Sequence, residues 1–245
     1  MQMTILELDA GNTRLKWRLI QEDVILHRGE LNNTASWETY LPVILDRLGS
    51  FDLARASVVS GSERHKLLFS MIQQSFGVEF QAARTKACWR GLTLAYHNPS
   101  ALGVDRWLAM LAAHCVHKVH HKIIIDSGTA LTIDVINQYG EHQGGYIVPG
   151  VTLMKQALQI NTANLPVTEN IVESVTPGKT TVQCIDHGVL AMTVAMINAQ
   201  LGKFKNSVVY LTGGSSPVLL PHINAECVYQ PELVMDGLAL AFKED

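Results

Sequence analysis

The sequence predicts an α/β chain built from two similar halves around a cleft, and three observations carry that expectation. The phrase Ile5-Leu6-Glu7-Leu8-Asp9-Ala10-Gly11-Asn12-Thr13 is echoed by Ile123-Ile124-Ile125-Asp126-Ser127-Gly128-Thr129-Ala130. In each, an apolar strand delivers an Asp into a Gly-containing turn that leads to an amphipathic strand. Beyond each phrase, strand-like runs alternate with helical stripes, the pattern of layered α/β folds. The expected halves are residues 1–117 and 118–245. A cleft between two such halves is where a ligand is expected.

In order, Thr4 to Leu8 reads as a strand, and Arg14 to Leu19 alternates polar and apolar side chains with period two. Val24 to Arg28 is a third strand. Ser36 to Leu48 carries a helical stripe of Trp37, Leu41, Ile44, Leu45 and Leu48, interrupted by Pro42. Ala56 to Ser60 reads as a buried strand and Glu63 to Phe76 as a helix, and Ser100 has the character of an N-cap for a helix reaching Val116. The second half is expected to run through strands Ile123 to Asp126 and Leu131 to Ile136, then a helix after Gly150. A long helix from Val182 to Leu201, a strand Val208 to Leu211 and a closing helix Leu233 to Phe242 complete it. Gly144-Gly145-Tyr146-Ile147-Val148-Pro149-Gly150 reads as a strand-to-helix connection.

Composition narrows the function. A net charge of -3 leaves no basic field of the kind nucleic-acid binding requires. Cys88, Cys115, Cys184 and Cys227 are scattered without a Cys-x-x-Cys pair, which points away from a zinc site or disulfide framework and fits a reducing cytosol. The start Met-Gln-Met-Thr lacks a signal peptide's basic flank. The most apolar stretches, Leu108 to Val116 and Val189 to Ile197, fall short of the roughly 18 residues of a spanning helix, so no membrane insertion is expected.

The two turns carry the chemistry. Around Asp9-Ala10-Gly11-Asn12-Thr13, Gly lets backbone approach a phosphate, Asn and Thr add short donors, and Asp supplies a carboxylate for hydrated Mg²⁺. Arg14 and Lys16 share one face of the next strand. Taken alone, this reads equally as a ligand-free hairpin turn. Asp126-Ser127-Gly128-Thr129-Ala130 repeats it, and a Walker A motif is absent. Two such turns form the phosphate clamp expected of an actin-like (ribonuclease H-like) fold of the ATPase and sugar-kinase type. Asp105-Arg106 stands at a helix start, where the dipole favours a carboxylate; the pair serves either the helix alone or proton acceptance from an attacking hydroxyl. Thr212-Gly213-Gly214-Ser215 suits close approach of an adenosine or phosphate. His114, His117 and His121 would share a face of a helix continued that far; exposed histidines at a helix C-terminus are the plainer reading.

As an ordered set, Asp9-x-Gly-Asn-Thr, Tyr96-His97-Asn98-Pro99 running into Gly103-Val104-Asp105-Arg106, Asp126-x-Gly-Thr-Ala with Thr132 and Asp134, Gly144-Gly145 with Pro149-Gly150, and Thr212-Gly213-Gly214 resemble type III pantothenate kinase. The resemblance spans nearly the whole chain. It implies transfer of the ATP γ-phosphoryl group to pantothenate, giving 4'-phosphopantothenate, the first step of coenzyme A synthesis. Asp105 would be the general base, with Gly103, Val104 and Arg106 forming the pantothenate pocket beside Tyr96. Asp9, Ala10, Gly11, Asn12, Thr13, Arg14, Leu15 and Lys16 would cradle the ATP phosphates, Asp9 placing Mg²⁺ directly or through water, and Thr129 would add a phosphate contact. Asp126 matches the ligand of a monovalent cation, K⁺ or NH₄⁺. Within Gly178-Lys179-Thr180-Thr181, Thr181 would touch pantothenate; Cys184, Asp186 and His187 stand where the family more usually has Ala, Gln and Ser. The resemblance also implies a cytoplasmic homodimer whose pocket the partner completes. Competing expectations are a sugar or acyl-acid kinase of the same superfamily, or a catalytically silent nucleotide-binding regulator.

Overall fold

Apolar strands flanked by helical stripes give two five-stranded sheets with the same topology. A computed structural model describes residues 2–59, 62–162, 165–166 and 173–243, with residues 62, 64 and 65 described by backbone only. The first sheet has the order β3-β2-β1-β4-β5, from β1 (Thr4–Ala10), β2 (Arg14–Gln21), β3 (Val24–Asn32), β4 (Leu53–Val58) and β5 (Glu79–Ala82). The hairpin strands β1, β2 and β3 pair antiparallel, whereas β4 and β5 join β1 in parallel. After the short strands β6 (Cys88–Trp89) and β7 (Leu92–Thr93), the second sheet repeats the plan as β10-β9-β8-β11-β12. Its strands are β8 (Lys122–Ser127), β9 (Ala130–Ile136), β10 (His142–Pro149), β11 (Val208–Thr212) and β12 (Cys227–Tyr229), again with two antiparallel and two parallel pairings. This is the expected duplicated actin-like plan.

The chain divides into two compact units. One holds Met1–Arg90, Tyr96–Ala112 and Leu233–Asp245; the other holds Gly91–Ala95 and Ala113–Glu232. In the first, α1 (Trp37–Leu48) and α2 (Ser62–Phe76) bury Trp37, Leu41, Leu45, Leu68 and Ile72 against Leu6, Leu8, Leu15 and Leu19. Pro42 stays inside α1. Burial of the stripe, at about 1.5–3 kcal/mol per large side chain, outweighs the roughly 3 kcal/mol an interior Pro costs. In the second unit, α5 (Thr181–Lys203) sets Leu190 and Ile197 against Ile123, Ile125, Ile133 and Leu211, and α4 (Val151–Asn161) packs on α5. By length and composition alone α5 could cross a membrane. The apolar run Val189–Ile197 lies inside this helix, which was expected over Val182–Leu201, and it contributes Leu190, Val194 and Ile197 to the core.

The other face of the first sheet is polar. Strand alternation and register put Glu7, Arg18 and Arg55 on one row, and Asp9, Lys16 and Ser57 on the next. The closing helix α7 (Leu233–Ala241) packs on β1 and β4 above this face. There Arg18 donates to Glu7 Oε2 at 2.6 Å, to Asp236 Oδ1 at 2.9 Å and to the Met235 carbonyl at 2.7 Å. This network returns α7 to the first unit, although α7 lies at the far end of the sequence. Burial pushes the Glu7 carboxyl up, and Arg18 pulls it back.

Several element boundaries differ from expectation. Asn98, not Ser100, makes the cap: its side chain accepts from Ser100 N at the head of a 3-10 turn, Pro99–Ala101, and α3 (Val104–Val116) starts only after Gly103. The strand placed at Ala56 begins at Leu53, and its expected end at Ser60 lies outside the described residues. Gly144–Pro149 lies within β10, where a bulge between His142 and Gly145 absorbs the glycines.

Candidate functional site

The Asp9 turn is held by backbone. Gly11 N donates to the Arg14 carbonyl at 3.0 Å, and the Asn33 side chain donates to the Gly11 carbonyl at 2.9 Å. Asn12, Thr13 and Arg14 are exposed, while Ala10 and Leu15 point into the core and can offer a ligand only their backbone. Asp9 faces Lys16 on β2 and Ser57 on β4. Burial lifts the Asp9 carboxyl to about 6; Lys16 lowers it, Asp105 raises it further, and the Ser57 hydroxyl lowers it. Its Oδ1 is buried and has no hydrogen-bond partner. Arg14 is held by Glu30 on β3 through contacts of 2.9 and 3.1 Å.

Asp105 sits in the first turn of α3, and its Oδ1 accepts from Arg106 N at 2.7 Å. The carboxylate folds back over Gly103, where a Cβ would lie 2.6 Å from Oδ1, so a side chain there would push the Asp105 carboxylate out of this position. Arg106 is 7% exposed, donates to the Tyr96 hydroxyl at 3.2 Å and lies 5.9 Å from the centre of its ring. The first unit thus gathers Asp9, Lys16, Asp105, Arg106 and Tyr96. The two carboxylates stand with Lys16 and Arg106, and the buried Asp9 Oδ1 is left without a hydrogen-bond donor. That donor set fits Mg²⁺, which binds through one or two carboxylates plus phosphate oxygens.

In the second unit Asp126 faces Thr132 on β9 and Thr212 on β11. Ser127 and Thr129 carbonyls accept from Ser215 N and Gly150 N, both at 2.9 Å. A Cβ on Gly213 would collide with Asp126 and Ser127, and one on Gly150 with the Gly128 and Thr129 carbonyls. Gly213 also has φ +93, a conformation glycine adopts without strain. The turn therefore offers carboxylate and carbonyl oxygens beneath bare Cα atoms, an all-oxygen set suited to a hard cation.

The proposed histidine face fails. α3 ends at Val116, because buried Lys122 gathers the carbonyls of His117 and His120 at 2.7 and 2.5 Å into a turn. His117 instead meets the Tyr210 hydroxyl at 2.6 Å, and His114 is buried rather than exposed. Among the described residues no group of three or more His, Cys, Asp or Glu is placed to hold a metal.

Comparison with known proteins bears on the whole chain. The family model for type III pantothenate kinase matches residues 5–203. A type III pantothenate kinase from Hahella chejuensis is 34% identical over 97% of both chains. The chain belongs to the type III pantothenate kinase family. Among solved structures, a Baf family protein from Campylobacter jejuni superposes with a TM-score of 0.58 at 18% identity over 96% of both chains. The ethanolamine utilization protein EutJ from Carboxydothermus hydrogenoformans gives 0.52 at 12% identity over 97% of this chain and 89% of its own. At such identities these two speak for the fold alone.

For a member of this family, the three departures after Thr181 have visible work. Cys184 Sγ approaches the Gly178 carbonyl at 3.4 Å, Asp186 pairs with Lys155 of α4 at 2.6 Å, and His187 Nδ1 meets the Thr176 carbonyl at 2.6 Å. Thr181, the first residue of α5, remains exposed. Sequence reasoning missed Ser57, Asn33, Glu30 and the Glu7-Arg18 pair. The last was signalled by Glu7-x-Asp9 against Lys16-x-Arg18, charges that alternate where a buried strand should be apolar.

Proposed function

We propose that this chain transfers the γ-phosphoryl group of ATP to the primary hydroxyl of pantothenate, giving 4'-phosphopantothenate for coenzyme A synthesis. The observation that carries the reading is a buried Asp9 whose Oδ1 has no hydrogen-bond partner and whose carboxyl feels Asp105, a place where a divalent cation would compensate the carboxylate. Asp105 accepts the proton of the attacking hydroxyl, and Arg106 with Tyr96 holds pantothenate together with Gly103, Val104 and Thr181. Backbone amides of 9–16 with Arg14 and Lys16 bind the phosphates, as does Thr129; the bare Cα atoms of Gly213 and Gly214 suit close approach of an adenosine or phosphate. Asp9 would hold Mg²⁺, which would supply charge neutralisation for the transferred group, and the oxygens at Asp126 would hold K⁺ or NH₄⁺. Because the transition state is loose, positioning and charge neutralisation do most of the work. Asp105→Asn should keep the fold and ATP binding and lose roughly 10²-fold or more in kcat. Near-normal turnover in that variant removes Asp105 from the role.

The reading includes a cytoplasmic homodimer, with the repeat boundary between residues 117 and 118. Exposed Tyr146, Ile147, Leu153, Leu158, Ile160 and Met192 on β10, α4 and α5 support a partner surface. Sedimentation should give twice the 27.0 kDa chain mass; a monomer at micromolar concentration contradicts the dimer.

A further inference from the structure

The segment entering α5 is tied down at several points. Thr180 caps the helix, its hydroxyl accepting from Gln183 N at 3.2 Å, while Gln183 Oε1 accepts from Lys179 N at 2.9 Å. These two bonds, a capping-box variant in which Gln183 reaches back to the residue before the cap, fix residues 179 and 180. Gly178 lies so close to α5 that a Cβ there would collide with the backbone of Gln183 and Cys184. Among the described residues just upstream of Gly178 (173–177), Val175, Thr176 and Pro177 are exposed and no apolar side chain is buried. Among the described residues, His187, 9% exposed, ties this segment to α5, its Nδ1 2.6 Å from the Thr176 carbonyl. A carbonyl can only accept, so Nδ1 carries the proton in this contact. The neighbouring Asp186 is engaged with Lys155 of α4, both side chains at most 3% exposed, which fixes the stretch of helix from which His187 reaches back.

We propose that His187 is a positioning residue for substrate binding: by donating to the Thr176 carbonyl it holds the 176–180 turn so that the Thr181 hydroxyl is presented to pantothenate. The inference rests on the reading of Thr181 as a pantothenate contact. Loss of the donor frees the upstream end of the turn but leaves the capping box and the α4–α5 ion pair in place. The effect is therefore confined to the acceptor substrate.

Steady-state kinetics of Thr181→Val, His187→Leu and His187→Asn test it; Leu keeps side-chain bulk without a donor, and Asn can donate from near the position of Nδ1. Thr181→Val should raise the KM for pantothenate roughly tenfold. His187→Leu should raise it roughly five- to tenfold, with kcat and the KM for ATP changed less than about twofold, and His187→Asn should restore it to within about twofold. If Thr181→Val raises the KM while His187→Leu does not, or if Asn fails to rescue, His187 has no positioning role and the Thr181 reading stands. Equal loss for both substrates in His187→Leu means packing alone and overturns the proposal. An unchanged KM in Thr181→Val overturns both, as does absence of pantothenate turnover in the wild type. Should His187→Leu not fold, His187→Ala takes its place: a raised KM for pantothenate that His187→Asn restores supports the role, and an unchanged KM ends it.

Discussion

Asp9 shows how much a single residue's surroundings settle. Its place at the end of an apolar strand was readable from the sequence, but its raised proton affinity comes from burial and from Asp105, which lies far along the chain. His114 teaches the opposite lesson. A helix C-terminus suggested exposure, yet its ring is 4% exposed beneath Gly91 and Gly140, whose missing side chains make room for it. Burial, with Lys122 and Lys118 adding positive charge, lowers the His114 value from 6.5 to about 4. A neutral folded form binds fewer protons than the unfolded chain between those values. This contribution to stability is therefore full above about 6.5 and is lost as pH falls toward 4. Denaturant titration should show about 2 kcal/mol of extra loss between pH 7 and 5 that His114→Gln lacks. Identical pH slopes for the two proteins would refute this account of His114.

At the level of elements, duplication was legible because strand-Asp-Gly turns have a fixed local grammar. The structure extends the repeat to positions no local pattern reveals. Asp9 faces Ser57 across to the fourth strand of its sheet, and Asp126 faces Thr212 across to the equivalent strand. β10 escaped notice because its glycines read as a connection, while pairing with β9 supplies what propensity lacks. The start of α3 was misplaced because Asn98 and Pro99 build their own 3-10 turn first. Gly213 is the most constrained point of the repeat, with positive φ and Asp126 against its Cα. Gly213→Ala should lower unfolding free energy by about 1–3 kcal/mol in denaturant titration. A neutral effect would mean that the turn can move aside.

For the whole molecule, the course of the chain was the least legible feature. Nothing local says that Leu233–Ala241 belongs with β1 and β4; that follows from Arg18, which needs Asp236 and the Met235 carbonyl once it is buried beside Glu7. Removing one partner of such a buried pair typically costs about 3–5 kcal/mol, so the last helix is part of the first unit's stability. Family membership and the paired acidic turns converge on one activity, and ATP consumption with and without pantothenate, in potassium and in sodium-only buffer, tests it most directly. Pantothenate should stimulate ATP consumption strongly in potassium and much less in sodium, with 4'-phosphopantothenate formed in step with ADP. Consumption indifferent to pantothenate would contradict the account.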